Sequence, residues 1–283
     1  MAGLYRSAKE GLAYSEESVQ IAAELRMPDA RVVALATRAL NLIQAGRLSD
    51  ARADLEAARV IAEQWAMVEF RNAILNNLGV LSETGEFDQA EIALSEAARF
   101  VTEYGGAQDL LALYANMSHL KVEMGQLSEA ADAAGRVLEC NEKIGSWWAS
   151  IAAYAILGLH ALERGQLAEA RRCRAKILSL FEERNFWVGD FSYAERFLAR
   201  LAEIEGERER ALARLDHAIA AYDGRDVLCW SRLQLERARL LLPLDRAEAR
   251  RAARRVRSRA LAAGARPLVA QADAILARVT VGD

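Results

Sequence analysis

The chain has 283 residues, 53% apolar and 27% charged, with 37 basic and 40 acidic side chains and a net charge of −3. That much apolar surface excludes a disordered chain, and 17 Gly with only three Pro exclude a loop-rich sandwich or an extended linker. Three widely spaced cysteines, Cys140, Cys173 and Cys229, exclude a disulfide scaffold and a cysteine-rich metal cage.

A short pattern orders the elements: glycine, any residue, apolar, any, any, alanine. It reads GLYRSA at 3–8, GRLSDA at 46–51, GEFDQA at 85–90, GQLSEA at 125–130 and GQLAEA at 165–170. A further copy, GERERA at 206–211, carries Arg208 at the apolar place. The glycines Gly3, Gly46, Gly85, Gly125, Gly165 and Gly206 are separated by 43, 39, 40, 40 and 41 residues. A period this constant is the mark of a repeat architecture.

The flanks of each glycine predict two helices. Before Gly85 runs AILNNLGVLSET at 73–84, and after it FDQAEIALSEAARFVTEY at 87–104, where Phe87, Ala90, Leu94 and Ala97 form one apolar stripe. The same register gives Leu48, Ala51, Leu55 and Ala58 one repeat earlier, and Leu127, Ala130, Ala134 and Val137 one repeat later. Glycine ends the first helix in the left-handed conformation. Ser49, Asp88 and Ser128 stand where they can cap the second. Ala51, Ala90, Ala130, Ala170 and Ala211 occupy one place at the helix crossing, and Gly79 and Gly158 offer small surfaces on the facing helix. Overpacking by Ala90→Leu or Ala130→Leu should cost about 1–3 kcal/mol.

The ends depart from the repeat. Residues 1–27 read as an incomplete first unit, a second helix over roughly 4–25 with no first helix before it, which suggests a piece cut from a longer polypeptide or an end covered by a neighbouring chain. Residues 28–227 read as the core repeats. Residues 228–283 read as a degenerate last unit, with helices at 228–242 and 245–263, Leu244 in place of glycine, and a capping helix opened by Pro267. The greasiest stretch, 147–162, has 16 residues and contains Ser150 and His160. That is shorter than the roughly 20 apolar residues of a membrane span, so it reads as a buried helix. No basic-then-apolar leader opens the sequence, and free thiols fit a reducing cytoplasm. Arginine outnumbers lysine 33 to 4, a bias expected of a GC-rich bacterial genome.

Leu78–Gly79, Phe87, Ala90, Leu94 and Ala97, and again Leu157–Gly158, Leu167 and Ala170, fall at the spacing of the tetratricopeptide repeat. The chain resembles that family over nearly its whole length, in a longer variant similar to the sensor arrays of large bacterial signal-transduction ATPases and transcription regulators. It departs in its period, about 40 rather than about 34, and in lacking the early aromatic residue of the first helix, Tyr154 being the nearest case. The resemblance implies an all-α, right-handed superhelix of about six helix pairs, with the first helices lining an open concave groove. Such a stack keeps its first and last units apart.

By this register the groove carries Asn76, Glu83, His119, Glu123, Tyr193, Arg196, Arg200 and Glu203, acidic in the middle repeats and basic near Arg196 and Arg200. Aromatic residues recur where one pair hands over to the next, at Trp65, Tyr104, Trp147–Trp148, Trp187 and Trp230. They are expected to plug the seams between pairs, with Trp148 and Trp187, beside other aromatics, the exceptions. Residues 244–266 hold eight arginines against Asp245 and Glu248, a local excess of +6 that leaves −9 elsewhere. With no aromatic interleaved they read as a solvated face rather than a single-strand nucleic-acid site.

His119, His160 and His217 lack a carboxylate or cysteine at ligand spacing, so neither metal nor cofactor is expected. Gly105–Gly106 lacks the Lys and Ser/Thr of a phosphate loop. Glu182–Glu183 reads as solvated. Nothing assembles a nucleophile, a base and an orienting group. The expected function is therefore a non-catalytic interaction or effector-sensing module, taking a protein or peptide segment, which includes another domain of the same polypeptide; the resemblance implies a larger bacterial regulatory protein as its parent. The competing readings are a scaffold or oligomerisation domain, a sugar-type effector sensor and a nucleic-acid contact.

Overall fold

Apolar stripes at helical spacing, interrupted by glycine every forty residues, are buried by laying one helix against the next. The computed structural model describes residues 8–182 and 192–280 and has fourteen α-helices, and no strand, among them. They are α1 (Ala8–Glu24), α2 (Pro28–Gln44), α3 (Leu48–Gln64), α4 (Val68–Gly79, continued by a 3₁₀ turn Val80–Thr84), α5 (Phe87–Tyr104), α6 (Ala107–Glu123) and α7 (Leu127–Ile144). Then come α8 (Trp147–Glu163), α9 (Leu167–Glu182), α10 (Ser192–Ile204), α11 (Arg208–Tyr222), α12 (Val227–Leu241), α13 (Arg246–Ala263) and α14 (Arg266–Thr280). Each packs on its chain neighbours, and the even-numbered helices also pack on one another in order from α2 to α14. The even helices are the inner layer of a helix-pair array and the odd helices the outer layer.

The glycine beat builds the turns. Gly46, Gly85, Gly125, Gly165 and Gly206 all have φ between 69° and 83°, where a Cβ would clash with the following carbonyl. After Gly46 the N–H of Arg47 reaches back to Leu42 O at 2.8 Å, and Gln126, Gln166 and Glu207 repeat the bond. This closes the helix on its last carbonyls. The expected caps at Ser49, Asp88 and Ser128 are not formed. The outer helices start one residue earlier, so Arg47, Glu86 and Gln126 take the cap position without a side-chain bond. Acidic groups in the first turn, such as Asp50, Asp88 and Glu129, favour the helix dipole there instead. Side-chain caps occur late, where Asp226 accepts from the N–H groups of Leu228 and Cys229, and Asp245 from that of Glu248.

Ala51, Ala90, Ala130, Ala170 and Ala211 are all buried at the crossings. Ala130→Leu is thus expected to raise the unfolding free energy deficit by about 1–3 kcal/mol in urea titration; a change below about 0.3 kcal/mol would contradict this packing. Gly79 lets Leu94 approach within its own pair, since a Cβ there would lie 2.5 Å from the Leu94 side chain. Gly158 instead faces the next pair, with its Cβ position 2.4 Å from the Phe197 ring of α10.

The stacked-array reading keeps the first and last units apart, and here the structure corrects it. α12 packs on α2, and α14 packs on the 3₁₀ turn after α4. The turn at Gly46 lies against the last pair, its Cβ position 3.1 Å from Ala263 Cβ and 3.3 Å from Val227. The Gly85 turn meets Arg266 and Pro267 at 3.5 Å. At Gly125, Gly165 and Gly206 the same position is open. One apolar core runs through Val32, Leu55, Leu94, Leu233, Val256 and Leu268, joining both ends of the chain. The array curls until its last pair meets α2 and the turn after α4, which narrows the space that the inner helices enclose.

Candidate functional site

The positions assigned to the groove do converge, but on one another. Glu83 ends the 3₁₀ turn, Glu123 ends α6, and Tyr193, Arg196, Arg200 and Glu203 lie along α10. They meet α12, of whose fifteen residues twelve are buried, so this helix plugs the axis. Arg232 of α12 donates Nε–H to Glu123 Oε1 at 3.1 Å and pairs through Nη2 with Glu83. Tyr193 donates its hydroxyl to the same Glu123 oxygen at 2.8 Å. Its ring stacks on His119, centroids 4.9 Å apart, with the guanidinium carbons of Arg196 and Arg232 each 5.5 Å from its centroid. Further along α12, Arg200 grips Glu236 through bonds of 2.8 and 3.0 Å, and Arg239 joins Glu236 to Glu203. The Asn76 side chain lies outside the described residues.

Glu83, Glu123, Tyr193, Arg200 and Glu203 thus direct their polar groups to one another and to α12, forming an axial lock, while Glu83, His119 and Tyr193 also face a small cavity. The physical reason is closure: a charge turned to the axis of a closed array loses water, and only an opposite charge offsets that loss. The acidic and basic ends of the gradient each find their partner on α12: Glu83 and Glu123 in Arg232, and Arg200 in Glu236. Arg232, Glu236 and Arg239 were missed. A signal for them existed: Leu228, Leu233, Leu235 and Leu240 lie on different sides of α12, so the helix is apolar around its circumference and charges within it need partners. Beside the lock is a cavity of about 140 Å³ lined by Glu83, Asn116, His119, Tyr193, Asp226 and Arg232, room for a handful of waters at about 30 Å³ each.

The electrostatics of the lock set a pH response. Burial alone would raise Glu123 and Glu236, but Arg232 and Arg196 around the first, and Arg200 and Arg239 around the second, outweigh it and hold both below the ordinary 4.5. Glu195 on α10 goes the other way: burial raises it despite its pair with Arg214. A carboxylate held low stabilises the fold above the unfolded pKa and ceases to do so as pH falls through the folded one. Glu195, held high, contributes below 4.5 and loses that contribution as pH rises. Glu205 and Glu248, also held low, add to the first group. The expected outcome is a urea midpoint that falls as pH drops below 4.5, with a shallower fall in Glu236→Gln. A midpoint unchanged between about pH 5 and pH 3 would exclude the lock as a titrating device.

A second region stays open. Between α1 and α2 runs a groove of about 490 Å³, lined by Ser18, Ile21 and Ala22 of α1, Leu25 of the turn after it, Ala30, Val33 and Ala34 of α2, and Phe70 of α4. Leu25 is 63% exposed and Val33 48%. α1 is tied to α2 by Asn41, whose Nδ2 donates to Gly11 O at 3.2 Å.

No family model matches the sequence, and no curated protein does. Among solved structures the chain is similar to BtubC (BKLC) from P. vanneervenii, with 17% identity and a TM-score of 0.57 over 75% of this chain and 89% of that one. It is also similar to a tetratricopeptide repeat protein from Parabacteroides merdae, again with 17% identity, TM-score 0.51, over 94% of this chain and 98% of the other. The fold is a tetratricopeptide-type array.

Within this array the aromatic residues at the handovers do not all plug seams. Trp230 is buried under Arg259, whose guanidinium carbon is 3.9 Å from the ring centroid, and Trp147 is half-buried. Trp65, Tyr104 and Trp148 stand exposed; Trp65 and Tyr104 fall at the C-terminal ends of α3 and α5, beyond the last buried position, and Trp148 in the first turn of α8, before Ala149. Trp187 lies outside the described residues. Trp65→Ala should therefore change stability by no more than about 0.5 kcal/mol, read by chemical denaturation; a loss above about 2 kcal/mol would restore the seam.

Burial pushes the Cys173 thiol up to about 11 and raises Cys140 as well, the reverse of a reactive thiolate. Among the described residues no cluster of three or more His, Cys, Asp or Glu could hold a metal, and no helix is long and apolar enough to cross a membrane. The arginine-rich α13 buries Ala249, Ala252, Ala253, Val256 and Ala260 and turns its charge outward. There Arg251 and Arg255 share Glu248, Arg257 pairs with Asp273 and Arg259 with Asp223. Glu182 is exposed, and Glu183 lies outside the described residues.

Proposed function

We propose that the chain is a non-catalytic protein-interaction module of a larger bacterial regulatory protein, working as a rigid platform. The observation that carries this reading is the uncovered α1–α2 groove, with Ile21, Leu25, Met27 and Val33 exposed together at one end of the array. Contiguous exposed apolar surface marks an interaction site. The reading differs from peptide capture in a concave channel, since the axis is filled by ion pairs. The free thiols of Cys140 and Cys173 support a cytoplasmic setting.

Co-purification from the source cells tests the proposal. A defined protein is expected to be retained by the native chain and lost from a folded Leu25→Asp, Val33→Asp variant. Recovery of the chain with no protein partner, together with a melting shift on adding a small metabolite, would replace the platform by a metabolite sensor.

A further inference from the structure

We propose that the groove between α1 and α2 receives an amphipathic α-helix from a partner polypeptide, one that carries lysine or arginine along one flank of its apolar stripe. The proposal rests on the interaction reading above and names the partner's chemistry.

The array itself shows what such a groove accepts. An outer helix and the inner helix that follows it form a V, and an inner helix lies in it. α2 covers α3 and α4, α4 covers α5 and α6, and α6 covers α7 and α8. In the same way α8 covers α9 and α10, α10 covers α11 and α12, and α12 covers α13 and α14. Among the described residues, α1 and α2 form the same V with nothing in it. Its walls suit a helix: Ala22, Ala30 and Ala34 permit an axis to approach to about 8–10 Å, while Ile21, Leu25 and Val33 supply the apolar contact.

Charge selects among helices. Glu10, Glu17 and Glu24 recur every seven residues of α1, so they form one line along its surface. All three are exposed, on the flank beside Tyr14 and Ile21, and Asp29 lines the groove from α2. A helix seated there runs along an acidic rail, so basic residues on that flank favour it and acidic ones repel. A second copy offering the same face would set one rail against another. The arginine-rich α13 of a second copy is no substitute, because its apolar stripe is buried in its own pair. A nucleic acid would meet the same negative charge.

The test uses the full chain and two labelled synthetic helices with the apolar spacing of α6, one with lysines and one with glutamates along one flank, read by fluorescence anisotropy. The lysine helix is expected to bind at least about tenfold more tightly, with the margin shrinking in high salt. Leu25→Asp with Val33→Asp should weaken it about tenfold or more without altering helicity or melting, and Glu17→Lys with Glu24→Lys should reverse the preference. Equal affinities, no binding of either helix, or binding indifferent to the groove substitutions overturns the proposal. So does a dimer seen by light scattering that Leu25→Asp dissolves, which would make a second copy the occupant. If the helices fail while a co-purifying protein still depends on Leu25 and Val33, the helix class is wrong and the interaction reading stands. If that protein is indifferent to them as well, both fall.

Discussion

Arg232→Leu is expected to cost about 3–5 kcal/mol of unfolding free energy. Arg232 is 3% exposed and serves two carboxylates, Glu83 and Glu123, that reach it from different repeats. Removing it leaves negative charge in a largely buried interior, where burial raises a carboxyl group's pKa and no guanidinium opposes it. The variant's deficit should therefore shrink as pH falls from about 7 to about 4, because protonated Glu83 and Glu123 no longer need the partner. Adding Glu83→Gln and Glu123→Gln should recover part of the loss. Urea titration of the three proteins measures it. A cost below about 1 kcal/mol, or a deficit that grows in acid, would mean that the axis is wet and the pairs are ordinary surface contacts.

Phe197→Ala should cost a similar amount, about 3–5 kcal/mol, by removing a fully buried ring and leaving a cavity. The ring lies over Gly158 among Ile151, Ala155, Leu159 and Ile177, where α10 meets α8. The pair is coupled. Gly158→Ala alone drives a Cβ into the ring and should cost about 1–3 kcal/mol, but in the Phe197→Ala background it meets open space and should be neutral or stabilising. A double-mutant cycle by thermal or urea unfolding gives the coupling. Additive costs would show that α10 does not ride on Gly158.

Much of this molecule is written locally. Glycine at forty-residue intervals can be read because a left-handed turn has few other occupants, and Gly46, Gly85, Gly125, Gly165 and Gly206 do end helices, Gly3 lying outside the described residues. The alanines at the crossings follow, since helical period and small size are sequence properties. Closure is written nowhere in particular. It accumulates from the angle between successive pairs, and residues such as Gly158 set that angle only through a partner in another repeat, here Phe197. Gly46 and Gly85 carry the same motif as Gly125, yet they also face Ala263 and Arg266, and no spacing distinguishes them. The site suffers accordingly. The register placed Glu83, Glu123 and Tyr193 on the inner face, where they are, but whether an inner face is a groove or an interior depends on closure. The groove at the other end was legible in part, because Leu12, Val19 and Ile21 mark an apolar face on α1, and Ile21 is exposed.

Closure is tested most directly by a cross-link between the two ends. The Cβ position at Gly85 lies 3.5 Å from Arg266 Cβ, within the roughly 3.5–4.5 Å of a disulfide. In a Cys140→Ser background, oxidised Gly85→Cys, Arg266→Cys protein should form an intramolecular bond that speeds migration on a non-reducing denaturing gel. Gly125→Cys, Arg266→Cys, with the same kind of turn but nothing within 4 Å, should not. Failure of the first pair to link, or equal linking by both, would contradict a closed array.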